Sequence, residues 1–402
     1  MPRSLRWLLG GAVLAAVFTV TAIPYLDAAA FIARAADLTG PPATLAAWRA
    51  SRVDGTTDVS VTTRQGAVPG RIYRPSAGFT RTIVLIPGVH RDGIDEARLV
   101  GLAQDLAATG FAVLTVAAPD LQRFRISPAV TDVIEDAVGW AANRKDLAPD
   151  GRVGVLGVSF SGGLSVVAAG RPGIRDRVAF VLSFGGHGDL SRVMHYLCAG
   201  EVVGDLARAR GSRVVMGADQ VQVHPPHDYG VAVVLLSFAD RVVPPDQVTG
   251  LSEGVDGFLL ASSLDGVDKP RALAQFARMR DYAETLPEPS RTMMREVNDR
   301  DVAKLGARLL PVVDSMVDDA AMPYLSPERA PATPAAPVFL LHGADDNVIP
   351  SVETVLLGEY LEGKSPVHGL LSGLITHAEV NRAPTATEAW RLASFWRQVL
   401  EN

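Results

Sequence analysis

Short apolar runs alternate with helix-like segments along much of this chain. Four of the runs are typical of buried strands: Thr82–Ile86, Phe111–Val116, Val153–Val158 and Val178–Phe184. Between the first two, Ala97–Ala108 carries leucine at positions 99, 102 and 106, which is helical spacing. Because strands joined by helical crossovers pair in parallel, the alternation predicts a parallel sheet with helices on its faces.

The alternation stops after residue 190 and resumes near the C-terminus. Segment 191–334 is mostly helical in pattern, apart from Val231–Phe238, which fits either a strand or a helix. A Pro/Ala-rich stretch at 327–337 predicts a linker. It is followed by two more strand–helix pairs: Val338–Leu341, Val352–Leu361, Val367–Leu371 and Thr385–Leu400. Two short strands are also predicted between Asp58 and Arg74, around a Gln65-Gly66 turn, so that Thr82–Ile86 is the third strand and Val178–Phe184 the sixth. We therefore predict one α/β core formed by 52–190 and 335–402, with 191–334 inserted after its sixth strand as a helical cap.

The N-terminus carries the one long apolar run. Arg3 and Arg6 precede an uncharged stretch from Trp7 to Leu26, which as a helix would span about 30 Å, roughly one hydrocarbon core. Residues 1–26 therefore predict either a retained membrane anchor or a signal peptide cleaved near Ala28 to Ala30, and a buried helix of the soluble fold is the remaining alternative. The first leaves an extracytoplasmic domain on the membrane and the second a secreted or periplasmic protein, and residues 27–51 form the connector in either case.

Composition excludes several classes of protein. The 402-residue chain has a net charge of −6 and no basic stripe, so nucleic acid is not an expected partner. The single cysteine, Cys198, excludes an internal disulfide and a zinc site of several thiolates, and its apolar surroundings predict an inert thiol. We expect neither a cofactor nor a metal.

The segment Gly157–Ser161, with the sequence GVSFS, follows one predicted strand and opens a predicted helix. This is the setting of a nucleophile elbow, in which a serine sits on a tight turn and its neighbours two residues away must be small. Gly157 meets that requirement, and Ser161 is small although glycine is usual there. Ser159 is thus the candidate nucleophile, although a Gly/Ser turn that binds phosphate would have the same local pattern.

A serine hydroxyl needs a base and an orienting carboxylate. Asp345 and Asp346 follow strand Val338–Leu341, at the strand end where parallel sheets place their sites. His377 lies 31 residues beyond Asp346, between the last strand and the last helix. The order Ser159, Asp346, His377 is that of α/β-hydrolases.

With these three motifs the chain resembles an α/β-hydrolase of the dienelactone-hydrolase or acyl-esterase type over about half its length. The pattern of such enzymes in His342–Pro350 puts the acid on Asp346 and makes Asp345 its neighbour. Asp189 is the alternative acid, since some hydrolases carry it one strand earlier. The resemblance also implies an oxyanion hole from the N–H groups of Phe160 and Val89, the latter in the loop after the third strand.

The implied function is hydrolysis of a small-molecule ester or related acyl compound through an acyl-enzyme. A serine peptidase or an acyltransferase would use the same triad. A non-catalytic, membrane-tethered binding protein would require that triad to be broken. We interpret His342 as a structural support of its loop, and Phe238–Pro244, which resembles the acid motif, as part of the cap.

Overall fold

The computed structural model describes residues 22–202, 204, 206–375 and 385–402. Most of the predicted N-terminal run and the predicted base, His377, lie outside these residues. Within the described part, residues 22–35 are helical and are called α1. None of the described helices is both long enough and apolar enough to cross a bilayer.

Nine strands of the described residues form one sheet. They are β1 Val53–Thr63, β2 Gly66–Pro75, β3 Arg81–Ile86, β4 Phe111–Val116, β5 Val153–Val158, β6 Val178–Phe184, β7 Val215–Met216, β8 Val338–Gly343 and β9 Val367–Ser372. Their order is β1-β2-β4-β3-β5-β6-β8-β9-β7. Strands β1 and β2 form an antiparallel hairpin at one edge, and β2 also pairs antiparallel with β4. The remaining pairings, from β4–β3 to β9–β7, are parallel. This mixed, mostly parallel sheet fits the α/β-hydrolase fold and agrees with the alternation in the sequence.

The helices cover both faces of the sheet. Those of the first part are α2 Pro41–Arg49, α3 Ala97–Ala108, α4 Pro119–Gln122, α5 Pro128–Ala142 and α6 Phe160–Gly170. Those of the inserted segment are α7 Leu190–Ala199, α8 Leu206–Arg210, α9 Asp228–Val242, α10 Val248–Leu264, α11 Lys269–Ala283, α12 Ser290–Asn298, α13 Val302–Ser315 and α14 Met322–Leu325. The last two are α15 Val352–Leu361 and α16 Ala386–Leu400. The undecided run Val231–Phe238 is therefore helical, within α9.

Two large buried clusters lie on opposite faces of the sheet. One contains α5, α6 and the helices of the insertion, including Phe258 and Leu309. The other lies under α1, α3 and α16 and includes Phe31 and Trp396. Part of the predicted connector is thus packed on the core, because α1 buries Phe31 there.

Two features of the insertion were not predicted from the sequence. Strand β7 lies within the insertion but pairs with β9, so this segment extends the main sheet. The predicted linker 327–337 connects α14 to β8, and ion pairs hold its first residues, because Glu328 pairs with Arg192 of the insertion and Arg329 pairs with Asp189 of the core. A proline-rich composition predicts a connection but says nothing about ion pairs to distant residues.

Candidate active site

Ser159 lies on a strained turn between β5 and α6. Its backbone has φ 58° and ψ −133°, a region that residues other than glycine rarely adopt. The turn is held by the Ser159 N–H, which donates to Phe184 O at 2.7 Å. A Cβ at Gly157 would lie 2.2 Å from Ser161 O, so only glycine fits there. Such strain is characteristic of functional positions in proteins.

The hydrogen bonds of the Ser161 hydroxyl explain why serine stands at a position where glycine is usual. Its side chain is fully buried, and its Oγ accepts the Val158 N–H at 2.8 Å. The same oxygen lies 3.0 Å from Ile86 O and 2.8 Å from Val158 O, either of which accepts its single proton. The hydroxyl therefore ties the elbow to the end of β3.

The two residues predicted for the oxyanion hole lie on the two segments that meet at Ser159. Phe160 is the first residue of α6, where N–H groups have no acceptor within the helix and the helix dipole favours negative charge. The loop after β3 lies against the elbow, since a Cβ at Gly88 would be 3.4 Å from Ser159 Cβ. Val89 follows Gly88 directly.

Asp346 and Asp345 differ sharply in their surroundings. Asp346 is buried, and its Oδ1 accepts the N–H groups of Val348 at 2.8 Å and Ile349 at 3.1 Å. A Cβ at Gly185, in the loop after β6, would be 3.7 Å from Asp346 Oδ2. Asp345 is exposed. Asp346 is therefore the carboxylate that the fold fixes in place.

The alternative acid, Asp189, is occupied by structural contacts. It caps α7 by accepting the Ser191 N–H at 2.9 Å, and it accepts the Ser191 hydroxyl at 2.6 Å. Its other oxygen accepts from Arg329 Nε at 2.6 Å. Despite burial, these contacts hold the pKa of the Asp189 carboxyl below its ordinary value.

His342 is a structural residue, as predicted. Its ring is fully buried, with Nδ1 2.7 Å from Thr354 Oγ1 and Nε2 2.9 Å from Ile349 O. Nε2 also lies 3.4 Å from Asp346 Oδ2. The ring thus supports the loop that carries Asp346. Cys198 is buried as well, and burial raises the pKa of its thiol to about 12, in agreement with an inert role.

The chain that leads to His377 leaves the sheet beside Asp346. The ends of β8 and β9 pair through Gly343 and Ser372, and the Ala344 N–H donates to Ser372 O at 3.1 Å. A Cβ at Gly343 would lie 2.4 Å from Ile375 O. Ile375 is two residues before His377 and is the last described residue of this segment.

The insertion contributes two tyrosines near Asp346 that sequence reasoning missed. Burial raises the pKa of Tyr196 and of Tyr229, and the negative charge of Asp346 raises both further. Tyr196 Oη donates to His224 O at 2.8 Å, and the His227 N–H donates to Asn347 O at 2.8 Å. No local motif marks such residues, because they approach the site only through tertiary packing.

A polar pocket of about 450 Å³ opens beside Asp345. It is lined by Asp219, Gln220, Gln222, His224, Ala344, Asp345, Gly373 and Glu388. Within the described part of the chain, no group of three or more His, Cys, Asp or Glu side chains is arranged to hold a metal ion.

No protein-family model matches the chain, and no curated protein matches its sequence. Its structure is distantly similar to an esterase from Pyrobaculum calidifontis, with 14% identity over 87% of this chain and 83% of that one, at a TM-score of 0.40. It is also similar to brefeldin A esterase, a bacterial homologue of human hormone sensitive lipase, with 14% identity over 94% and 84% and a TM-score of 0.44. A third similar structure is the acylaminoacyl peptidase of Pyrococcus horikoshii, with 11% identity over 90% of this chain and 43% of that one, at a TM-score of 0.44.

Proposed function

We propose that this chain is a serine hydrolase of the α/β-hydrolase type, close to dienelactone hydrolases and acyl esterases, that cleaves carboxylic esters through an acyl-enzyme. The observation that carries the proposal is the backbone of Ser159, a strained non-glycine residue between β5 and the N-terminus of α6. A merely structural turn would gain nothing from a serine there, whereas a nucleophile needs a fixed position at the end of a strand, and Ser159 is only half-buried.

In the proposed first step His377 removes the proton of Ser159 while Oγ attacks the ester carbonyl carbon. The N–H groups of Phe160 and Val89 hold the resulting oxyanion, and α6 directs its positive end toward it. The carbon–oxygen bond to the alcohol then breaks, and the leaving oxygen takes the proton from His377.

In the second step water replaces the alcohol. His377 takes a proton from water, the hydroxide oxygen attacks the acyl carbon, and the bond to Ser159 Oγ breaks with return of the proton to Oγ. Asp346 orients the imidazole and stabilises its charged form throughout. We assign this role to Asp346 because its carboxylate is buried and fixed by two backbone N–H groups, whereas Asp345 is exposed.

The test is turnover of p-nitrophenyl butyrate by the wild type, by Ser159→Ala and by His377→Ala. We expect both variants to lose nearly all activity, because residues of a triad act as a unit. Ser165→Ala is the matched control, a buried serine on the same helix. Turnover by Ser159→Ala equal to the wild type would instead support a binding protein on this fold.

A peptidase and an acyltransferase would share these residues. Profiling esters against amides of the same acyl group distinguishes the peptidase, and product analysis with an added alcohol distinguishes the acyltransferase. We expect the free acid to be the main product and the esters to react much faster than the amides.

We also propose that the N-terminal run is retained as a membrane anchor, with the catalytic domain outside the cytoplasm. Cleavage near Ala28 would remove the first half of α1 and cut the helix where Ala28 and Ala30 are buried against the core. It would also remove Asp27, which pairs with Arg49. The mass of the mature N-terminus tests this, and a chain that starts between residues 28 and 31 would contradict it.

A further inference from the structure

Helix α1 runs alongside α16 in the same direction. The rings of Tyr25 and Trp390 stack with centroids 4.7 Å apart, and those of Phe31 and Trp396 lie 4.3 Å apart. Each pair is separated from the next by six residues on both helices. Equal spacing in the same order requires that the two helices be parallel.

The direction of α16 is fixed by its two ends. It follows β9, whose last residue Ser372 lies at the carboxyl edge of the sheet beside Gly343. It ends near Asn402, whose backbone oxygen accepts from Arg81 Nε at 2.5 Å, and Arg81 is the first residue of β3. Both helices therefore run from the carboxyl edge to the amino edge. Residue 22 lies at the edge that carries Ser159 and Asp346.

Exposed apolar side chains are concentrated at this end of the two helices. Ile23 is 37% exposed, Leu26 38% and Trp390 59%, although all are large apolar residues. Tyr25, half-buried, stacks against Trp390. Tryptophan and tyrosine are enriched where a protein meets the interface of a bilayer.

No linker separates this surface from the apolar run of the sequence. The uncharged stretch Trp7–Leu26 overlaps the first five described residues of α1, and α1 is packed on the core from Ala28 onward. If the run crosses a membrane, the folded domain starts at the bilayer surface with its carboxyl edge toward that surface.

From this arrangement we propose that the active-site edge faces the membrane that anchors the chain, with Ile23, Leu26 and Trp390 in the lipid interface. The substrates are then apolar esters dissolved in that bilayer, such as acyl esters of lipids. This inference rests on the proposed function, because it assigns a substrate class to the reaction of Ser159. A second copy of the chain on the same surface is the competing occupant.

Orientation is tested without catalysis. The full-length Ser159→Ala protein is reconstituted in phosphatidylcholine vesicles whose acyl chains are brominated or not, and tryptophan emission is compared with and without Trp390→Phe. We expect bromine to quench the emission contributed by Trp390. Trp140→Phe, which removes a tryptophan of α5 on the other sheet face, should not change the quenched emission. Equal Trp390 emission in both lipids, with or without dimers, would overturn the proposal.

Substrate class is tested with two esters. One is short and soluble, p-nitrophenyl butyrate, and the other is p-nitrophenyl palmitate embedded in the same vesicles. Ile23→Ser, Leu26→Ser and Trp390→Ser combined should lower the rate on the palmitate several-fold and leave the butyrate rate unchanged. Val267→Ser with Leu273→Ser, which replaces exposed apolar residues of the insertion, is the control that should alter neither rate.

These outcomes separate the inference from the function on which it rests. Suppose that the wild type hydrolyses the butyrate. If the triple variant then loses activity equally on both esters, or loses none on the palmitate, the membrane-facing orientation is overturned while the proposed hydrolase function stands. Hydrolysis of neither ester by the wild type would instead contradict the proposed function.

Discussion

Ser159 and Ser161 lie two residues apart in one elbow and have opposite requirements. Ser159 needs a hydroxyl held in a strained and accessible position, whereas Ser161 is fully buried and uses its hydroxyl to join β3 and β5. Ser165, one turn further along α6, is equally buried, and its Oγ has no hydrogen-bond partner within the described structure. The three serines therefore make different contributions although they lie close together at the start of α6.

Ser161→Ala should lower the free energy of unfolding by about 1–3 kcal/mol, because the Val158 N–H and the Ile86 carbonyl lose a partner. Ester turnover should fall as well, since the elbow is less firmly held. Ser165→Ala should be neutral or slightly stabilising, because it removes an unpaired buried hydroxyl. Urea denaturation of both variants provides the measurement. Equal losses would show that the Ser161 contacts have no special role.

Asp346→Asn and Asp345→Asn distinguish the two adjacent carboxylates. In a triad of this type, replacing the acid by asparagine lowers kcat roughly 10⁴-fold because the imidazole adopts the wrong tautomer. We expect that loss for Asp346→Asn and no more than a small change for the exposed Asp345. Steady-state kinetics on a soluble ester gives the answer, and the reverse order of effects would move the acid to Asp345.

At the scale of elements, the loop after β6 packs against the start of α6. A Cβ at Gly163 would be 2.6 Å from His187 O, and one at Gly186 would be 2.7 Å from Gly163 N. The His187 ring is fully buried and donates from Nε2 to Leu325 O at 2.8 Å. The His187 ring is therefore shielded from water, and burial disfavours its protonated, charged form.

Burial lowers the pKa of His187 to about 4, against a partial opposing effect of its bond to Leu325. Asp189 and Glu328 nearby favour the charged ring, and Arg192 opposes it. The unfolded chain therefore binds more protons than the folded protein between pH 6.5 and about 4. Stability that is fully present above pH 6.5 should fall by at most about 3 kcal/mol as the pH drops to 4, and then level off.

His187→Gln provides the control for that pH dependence. Glutamine can still donate to Leu325 O but does not titrate in this range. Urea unfolding of both proteins at several pH values should show a smaller decline for the variant. Parallel curves would mean that His187 is not the group responsible.

Most of the elements could be predicted from the sequence, because each is specified by local pattern. Hydrophobic runs and Gly/Pro turns located the strands of the core, and the elbow could be recognised from Gly157 and Ser159. Val231–Phe238 could not be assigned, since a continuous apolar run has no periodicity that separates a strand from a helix. Strand β7, with two residues, is too short to leave any pattern.

At the scale of the whole molecule, a buried ion network joins both ends of the insertion to the core. Glu353 of α15 is fully buried and accepts from Arg192 Nη2 at 2.9 Å and from the Gly188 N–H at 2.9 Å. Arg192 also pairs with Glu328 at the other end of the insertion. Sequence alone could not show this, because the partners are 136 and 161 positions apart.

Glu353→Ala should cost about 3–5 kcal/mol, because removing one partner of a buried ion pair leaves Arg192 without its main counter-charge. The insertion and the core should still unfold together, since their residues share one buried cluster. Lys304→Ala, in an exposed pair with Asp301, should leave the transition unchanged. Thermal unfolding followed by circular dichroism and fluorescence tests both points, and two separate transitions would contradict the shared core.

Covalent labelling by a fluorophosphonate tests directly whether Ser159 is an activated nucleophile, because this reagent reacts with a serine only when its hydroxyl is activated. We expect one label per chain, found by peptide mass mapping on Ser159. Labelling should be lost in Ser159→Ala and nearly lost in His377→Ala. A folded wild-type protein that takes no label, or takes it on another serine, would show that Ser159 is not the nucleophile.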